Sequence, residues 1–321
     1  MDFSKLSFEQ FMERFSTEAA CAEYLFRVKW PQGFSCPQCS FRHAYLINTR
    51  RLPLYECSRC RHQASLTSGT VTEGSRTSLR KWFAALFLVS CSEEGASAVK
   101  LSHIIQVTYK TAWLILHKIR SLIHLWDAQT PLTGTVIINS AIYGRPYNPT
   151  VRKHPQEHLL LLGSSQIHSN ESGYLKIKHI IPQLPTNKHI SRRDLHSFHN
   201  QHIDPAVRNI EITTGFYTPI RCRPLLQLAR QAGNWINRSF HGLGAKYLQK
   251  YLDEFCYRYN LTARNIPVFP HLCRLVFTHA STDCFRFLSA RDSGHRHRHK
   301  ENHLRERWSA VSLGLFNIDP S

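Results

Sequence analysis

At 321 residues the chain has room for two or three domains, and its 42% hydrophobic content can fill ordinary globular cores. Lysine and arginine number 41 against 22 acids, a formal charge of +19 that points to a polyanionic partner, nucleic acid before others. No run of 18 apolar residues exists, which excludes a transmembrane helix, and Met1-Asp2-Phe3-Ser4-Lys5 is too mixed in charge for a signal peptide.

The first predicted elements are two short helices within residues 7–29. Ser7 with Gln10 three positions on is a capping box, and Phe8, Phe11 and Phe15 recur on one face. Thr17 caps a second helix carrying Ala20, Tyr24, Leu25 and Val28, which ends at Trp30-Pro31. Next come Cys36-Pro37-Gln38-Cys39, seventeen residues, and Cys57-Ser58-Arg59-Cys60. Two C-x-x-C pairs at this separation are the spacing of a four-thiolate zinc site. A two-residue spacer turns both sulfurs of a pair to one point, and two pairs close a tetrahedron. Such a site has no open position, so Cys36, Cys39, Cys57 and Cys60 are expected to hold structural Zn2+. The other six cysteines show no framework spacing, which suits a reducing cytosol.

A polar stretch, 67–77, leads to three helical patterns. The first runs over Leu79–Ser90, with Leu79, Trp82, Phe83, Leu86 and Val89 at helical spacing; the second covers Ser97–Ile105. The third starts behind Thr108 and places Ala112, Leu116, Ile119 and Ile123 on one face, with Lys110, Thr111, Lys118 and Arg120 off it. Short helix, tight turn and longer basic helix is helix-turn-helix arithmetic, though an ordinary helical hairpin has the same pattern. In the DNA-binding reading, contacts fall to Tyr109, Lys110, Thr111, Leu114 and Lys118.

From Pro131 the period changes. Thr135–Tyr143, Glu157–Gln166 and Gly173–Ile181 read as an antiparallel meander, followed by a helix near Ser191–Gln201, a strand at Arg208–Thr213 and a helix over Ala245–Tyr259. The run His295-Arg296-His297-Arg298-His299-Lys300 reads as a basic arm along phosphates, or alternatively a histidine-rich metal tract.

Several segments together resemble the zinc-ribbon-headed transposases of bacterial insertion sequences, the ISXO-like group. They include Phe15-Ser16-Thr17-Glu18-Ala19-Ala20-Cys21 and Gln63-Ala64-Ser65-Leu66-Thr67-Ser68-Gly69-Thr70 in the first part of the chain. Tyr109-Lys110-Thr111-Ala112-Trp113, Trp235-Ile236-Asn237-Arg238-Ser239-Phe240-His241-Gly242 and Tyr247–Phe255 complete the likeness. The resemblance implies a DDE-type recombinase, in which two aspartates and a third residue on a ribonuclease-H-like sheet hold two Mg2+ ions. Carboxylates are needed because two ions about 3.5–4 Å apart repel and only anionic oxygens hold the pair. At the matching positions this sequence has Asn139, Thr214 and, in the stretch Gln231-Ala232-Gly233, Gln231.

The sequence therefore reads as a multidomain α+β chain: an N-terminal helical segment (1–30), a zinc ribbon (31–76), a helix-turn-helix-like region (77–130), a ribonuclease-H-like domain with a mixed sheet (131–265) and a basic C-terminal region (266–321). The implied function is that of a transposase-family protein binding double-stranded DNA, such as insertion-sequence terminal repeats. Its Mg2+ centre is expected to be lost, and with it catalysis. A homo-oligomer and a bacterial cytoplasmic, nucleoid-associated location follow from the same resemblance. Two alternatives stand beside it: an active transposase recruiting other acids such as Glu157, Asp194 or Glu211, and a zinc-ribbon module that binds protein or RNA. Asp253 and Glu254 are read as structural residues of a helix.

Overall fold

The computed structural model describes residues 3–144, 153–166, 173–181, 188–215 and 221–278. The basic run 295–300 lies outside them.

The chain opens with α1 (Phe8–Arg14) and α2 (Glu18–Lys29). Both starts are fixed locally: the Ser7 hydroxyl accepts from Gln10 N while the Gln10 side chain accepts from Ser7 N, and Thr17 accepts from Ala20 N. A small antiparallel sheet follows, β1 (Ala44–Ile47), β2 (Leu54–Cys57) and β3 (Gln63–Ser65), in that spatial order. Lys29 ties α2 to its exit, donating to the carbonyls of Ser65, Leu66 and Ser68 at 2.9–3.1 Å.

Three helices come next: α3 (Leu79–Cys91), α4 (Ala98–Ile105) and α5 (Tyr109–Gln129). Spacing alone gives α3 a single apolar stripe, yet it is buried on all sides, from Trp82 through Ser90. The reason is a helix the sequence pattern did not announce, α9 (Val268–Thr278), whose Phe269 ring packs 4.7 Å from Phe3 and 5.0 Å from Phe11. Residues 268–278, assigned from sequence to the basic C-terminal region, thus complete the N-terminal core. Glu18 fastens α3 to α2, its carboxylate accepting from Leu79 N and Arg80 N at 3.1 and 2.9 Å.

The second sheet contains β4 (Thr135–Tyr143), β5 (His158–Gln166), β6 (Leu175–Ile180) and β7 (Ile210–Thr213), in spatial order β6-β5-β4-β7. The first three form the expected antiparallel meander; β7, reached through α6 (Arg192–His202), runs parallel to β4 at the far edge. Side-chain alternation gives the sheet two cores. Ala141, Tyr143, Leu160, Leu162, Leu175 and Ile177 meet α7 (Arg223–Phe240) and α8 (Ala245–Ala263). Val136, Ile138, Leu159 and Leu161 face the other way, towards Phe198 of α6.

A bare edge at β6 would invite another chain to pair with it. Two amides of α8 cover it. Asn260 accepts from Leu175 N and donates to Leu175 O, and Gln249 accepts from His179 N and donates to Ile177 O, all within 2.7–3.0 Å. The buried apolar side chains form three clusters, one joining the ribbon to the N-terminal helices and α9 and one on each face of the large sheet. Among the described residues, no helix is long and apolar enough to cross a membrane.

Candidate functional site

The four ribbon cysteines converge. Cys36 and Cys60 Sγ lie 3.6 Å apart, as do Cys39 and Cys57 Sγ, and all four sulfurs fall within 4.8 Å of one another. A tetrahedron with Zn–S bonds of about 2.3 Å has edges of about 3.8 Å, so the donor set fits zinc. Each pair sits in a matching turn. Ser40 N donates to Cys36 O and Arg61 N to Cys57 O, with Ser40 and Arg61 both in the left-handed region at φ 58° and 59°. Burial pushes the Cys57 thiol up, but the backbone N–H groups of Cys60 and Arg59 outweigh it and bring it to about 6. Zinc bound here holds two turns together and leaves no coordination position for a substrate.

The helix tip expected to meet DNA is built by α4, a three-residue turn and α5. Gln106 takes the left-handed conformation that reverses the chain, and Thr108 accepts from Thr111 N at 3.3 Å. Tyr109 is 58% and Leu114 44% exposed, Lys110 is exposed, and the Thr111 hydroxyl lies 3.0 Å from that of Thr108. Lys118 turns inward and donates to the Val71 carbonyl at 3.0 Å. Arg120, which the helical pattern placed off the apolar face, is 4% exposed and paired with Glu254 of α8 at 2.5 Å.

On the large sheet, Asn139 stands at the centre of β4, directly opposite Leu162 of β5 and Thr213 of β7. The next residue, Ser140, donates its hydroxyl to the Thr214 carbonyl at 2.8 Å. Asn139 thus pairs with Thr213, and Thr214 follows directly after the end of β7. Asn139 is fully buried, and neither its carbonyl oxygen nor its amide nitrogen has a hydrogen-bond partner among the described residues. Arg221 donates from its guanidinium to the Ser140 carbonyl, and burial and then nearby Arg230 press its pKa down.

Gln231 lies elsewhere. It is exposed on α7 and lines a groove with Glu93, Glu94 and Lys100, while the helix turns Ala229, Ala232 and Ile236 to the sheet. Gly233 approaches the Tyr143 ring. Of the acids open to recruitment, Glu211 stands one same-face row from the Asn139–Thr213 pair. Glu157 pairs with Lys188 at 3.0 Å, Asp194 closes the Ser191 capping box, and Glu211 is exposed opposite Ile137.

Sequence reasoning missed a buried ionic cluster between α5, α8 and β6. Lys178 donates to Asp127 and, at 2.6 Å, to Asp253; Lys176 reaches Asp127 at 3.1 Å; His124 Nδ1 lies 2.5 Å from Asp253. Asp253 and Glu254 are both 0% exposed. Burial raises the Asp253 carboxyl, but Lys178 and His124 outweigh it and hold it well below the usual carboxylate range. A signal was available in β6, where Lys176 and Lys178 alternate with Leu175 and Ile177 in a strand flanked by apolar ones.

Comparison with known proteins agrees with the ribbon. Residues 16–63 match the family model of the transposase zinc-ribbon domain. An uncharacterized protein in the transposable element ISH50 of Halobacterium salinarum is 29% identical over 130 residues, 40% of this chain and 42% of that protein. The match thus spans under half of that relative's length. No solved structure matches. Together the ribbon and this relative support an insertion-sequence transposase family and a structural zinc.

Proposed function

With the transposase-type ribbon as premise, we propose that the chain is a DNA-binding protein of DDE-transposase descent whose phosphoryl-transfer centre no longer holds metal. The large sheet is read as ribonuclease-H-like, since its elements run three antiparallel strands, helix, parallel strand, helices. The observation that carries the proposal is the pairing of Asn139 with Thr213 on adjoining strands, with Thr214 directly after the end of β7 and the Arg221 guanidinium on the carbonyl of Ser140, the residue after Asn139. An amide and a hydroxyl bring no negative charge, and arginine brings a positive one that stays protonated. Mg2+ sheds water reluctantly and is held by carboxylates, so this set of groups opposes the ion pair that the chemistry needs.

DNA recognition is assigned to the α4–α5 tip, through Tyr109, Lys110, Thr111 and Leu114. Lys118, committed to the Val71 carbonyl, is left out of that surface. Phosphate contacts supply the affinity, as the charge of +19 suggests. Terminal repeats of a related element are the proposed target. The test is duplex binding against salt. Neutralising about six phosphates gives a slope of roughly −5 in log affinity against log salt, and Lys110→Ala weakens binding. Binding that ignores salt would refute the proposal in favour of a protein-interaction module.

A further inference from the structure

We infer that duplex DNA bound at the α5 tip extends onto the first turn of α8, where Lys246 takes a phosphate; the inference rests on the DNA-binding reading above. The two helices run side by side in the same direction. Trp113 and His117 of α5 meet the Tyr247 ring of α8 at 6.2 and 6.4 Å, Ser121 accepts from Lys250 at 2.9 Å, and Arg120 reaches Glu254. Contacts advance along both helices together, so α5 and α8 start at the same end of the pair. There Trp113 stacks on His117 at 4.5 Å, and Tyr247 closes edge-on against both rings. This layer of rings fixes the first turn of α8 beside the turns of α5 that follow Lys110. Lys246 is exposed and stands 5.3 Å over the Tyr247 ring.

Charge identifies the partner. From Gly95 to Trp126 the sequence holds no acid against four lysines and arginines, and from Ile212 to Leu252 none against six. The helices themselves contain three acids, Asp127, Asp253 and Glu254, and all three are buried and answered by Lys178 or Arg120. None of the ion pairs among the described residues takes Lys110 or Lys246. Two exposed ammoniums thus stand at neighbouring helix starts and meet no carboxylate from either helix. Such a row attracts phosphates and repels basic partners. Lysine on its flexible stem is a point charge, so Lys246 adds affinity and carries no sequence information.

The experiment measures duplex binding by the full-length protein against salt, with Lys246→Ala, Lys246→Arg and Arg27→Ala. Lys246 is exposed near a helix start, where alanine is a good helix former, so the variant keeps its fold. Arg27, an exposed cation on α2, controls for the change in net charge. Lys246→Ala should weaken binding to related and unrelated sequences alike and make the salt slope shallower by about one. Lys246→Arg should keep the slope, and Arg27→Ala should leave affinity and slope unchanged. Lys246→Ala behaving like Arg27→Ala, while Lys110→Ala weakens binding, would overturn the α8 contact and leave the DNA-binding reading standing. Failure of the unmodified protein to bind duplex would overturn both. A loss in Lys246→Ala confined to single strands or RNA would overturn the assignment to duplex.

Discussion

Lys178 of β6 and Asp253 of α8 form a buried ion pair at 2.6 Å, and the same ammonium donates to Asp127 at the end of α5. One side chain thus joins the sheet to the helix proposed to carry DNA contacts at its other end. Arg120 repeats the connection two turns earlier, bonding to Glu254 at 2.5 Å and standing 4.0 Å over the Tyr251 ring. The α5 tip and the large sheet are therefore held in one orientation.

Replacing Lys178 with Met should leave two buried carboxylates without their shared cation and cost about 3–5 kcal/mol. The exposed pair Arg27–Glu23, with side chains 75% and 68% accessible, is the contrast. Arg27→Ala should change stability by less than about 1 kcal/mol. Urea denaturation of both variants checks the difference.

Acid should destabilise the protein from near neutrality downwards. Burial, with Lys250 nearby, lowers His117 to about 4, and burial, with His158 nearby, does the same to His179. In the unfolded chain such groups titrate near 6.5. Between those values the unfolded state binds more protons, so stability present above about pH 6.5 is lost as pH falls towards 4. Denaturation midpoints at pH 7.5 and 5.5 should differ in that direction. Replacing both histidines with Gln should reduce the difference.

Zinc removal should unfold the ribbon. Metal binding in such modules contributes about 10–16 kcal/mol to folding at neutral pH. Cys39→Ser or Cys57→Ser should release the metal and expose the Tyr55 side of the sheet, while the β4–β7 sheet keeps its protected amides in hydrogen exchange. One zinc per chain by elemental analysis is the expected starting value.

Features set by near neighbours were legible in the sequence. The C-x-x-C pairs, the Ser7 and Thr17 caps and the β-rich runs of β4 and β5 depend on residues close in sequence, and the sequence reading placed each of them. Features set by distant partners were not. Asp253 and Glu254 read as structural residues of a helix and Arg120 as a charge off the apolar face, but their partners, up to 134 positions away, are not visible in the pattern. The all-round burial of α3 depends likewise on Phe269, far along the chain. At the candidate centre, the pairing of Asn139 with Thr213 needs the parallel strand β7, and the Arg221 contact needs the fold itself.

A folded sheet that binds DNA but lacks the charge to hold metal should leave its DNA intact. The decisive measurement is strand cleavage and transfer by purified protein on terminal repeats of a related intact element, with Mg2+ or Mn2+ and with EDTA. Bound and uncut DNA is expected under every condition. Asn139→Asp alone should restore nothing, while Asn139→Asp/Thr214→Asp should recover measurable divalent-ion binding. Reproducible nicking by the unmodified protein, abolished by EDTA and by Asn139→Ala, would contradict these expectations.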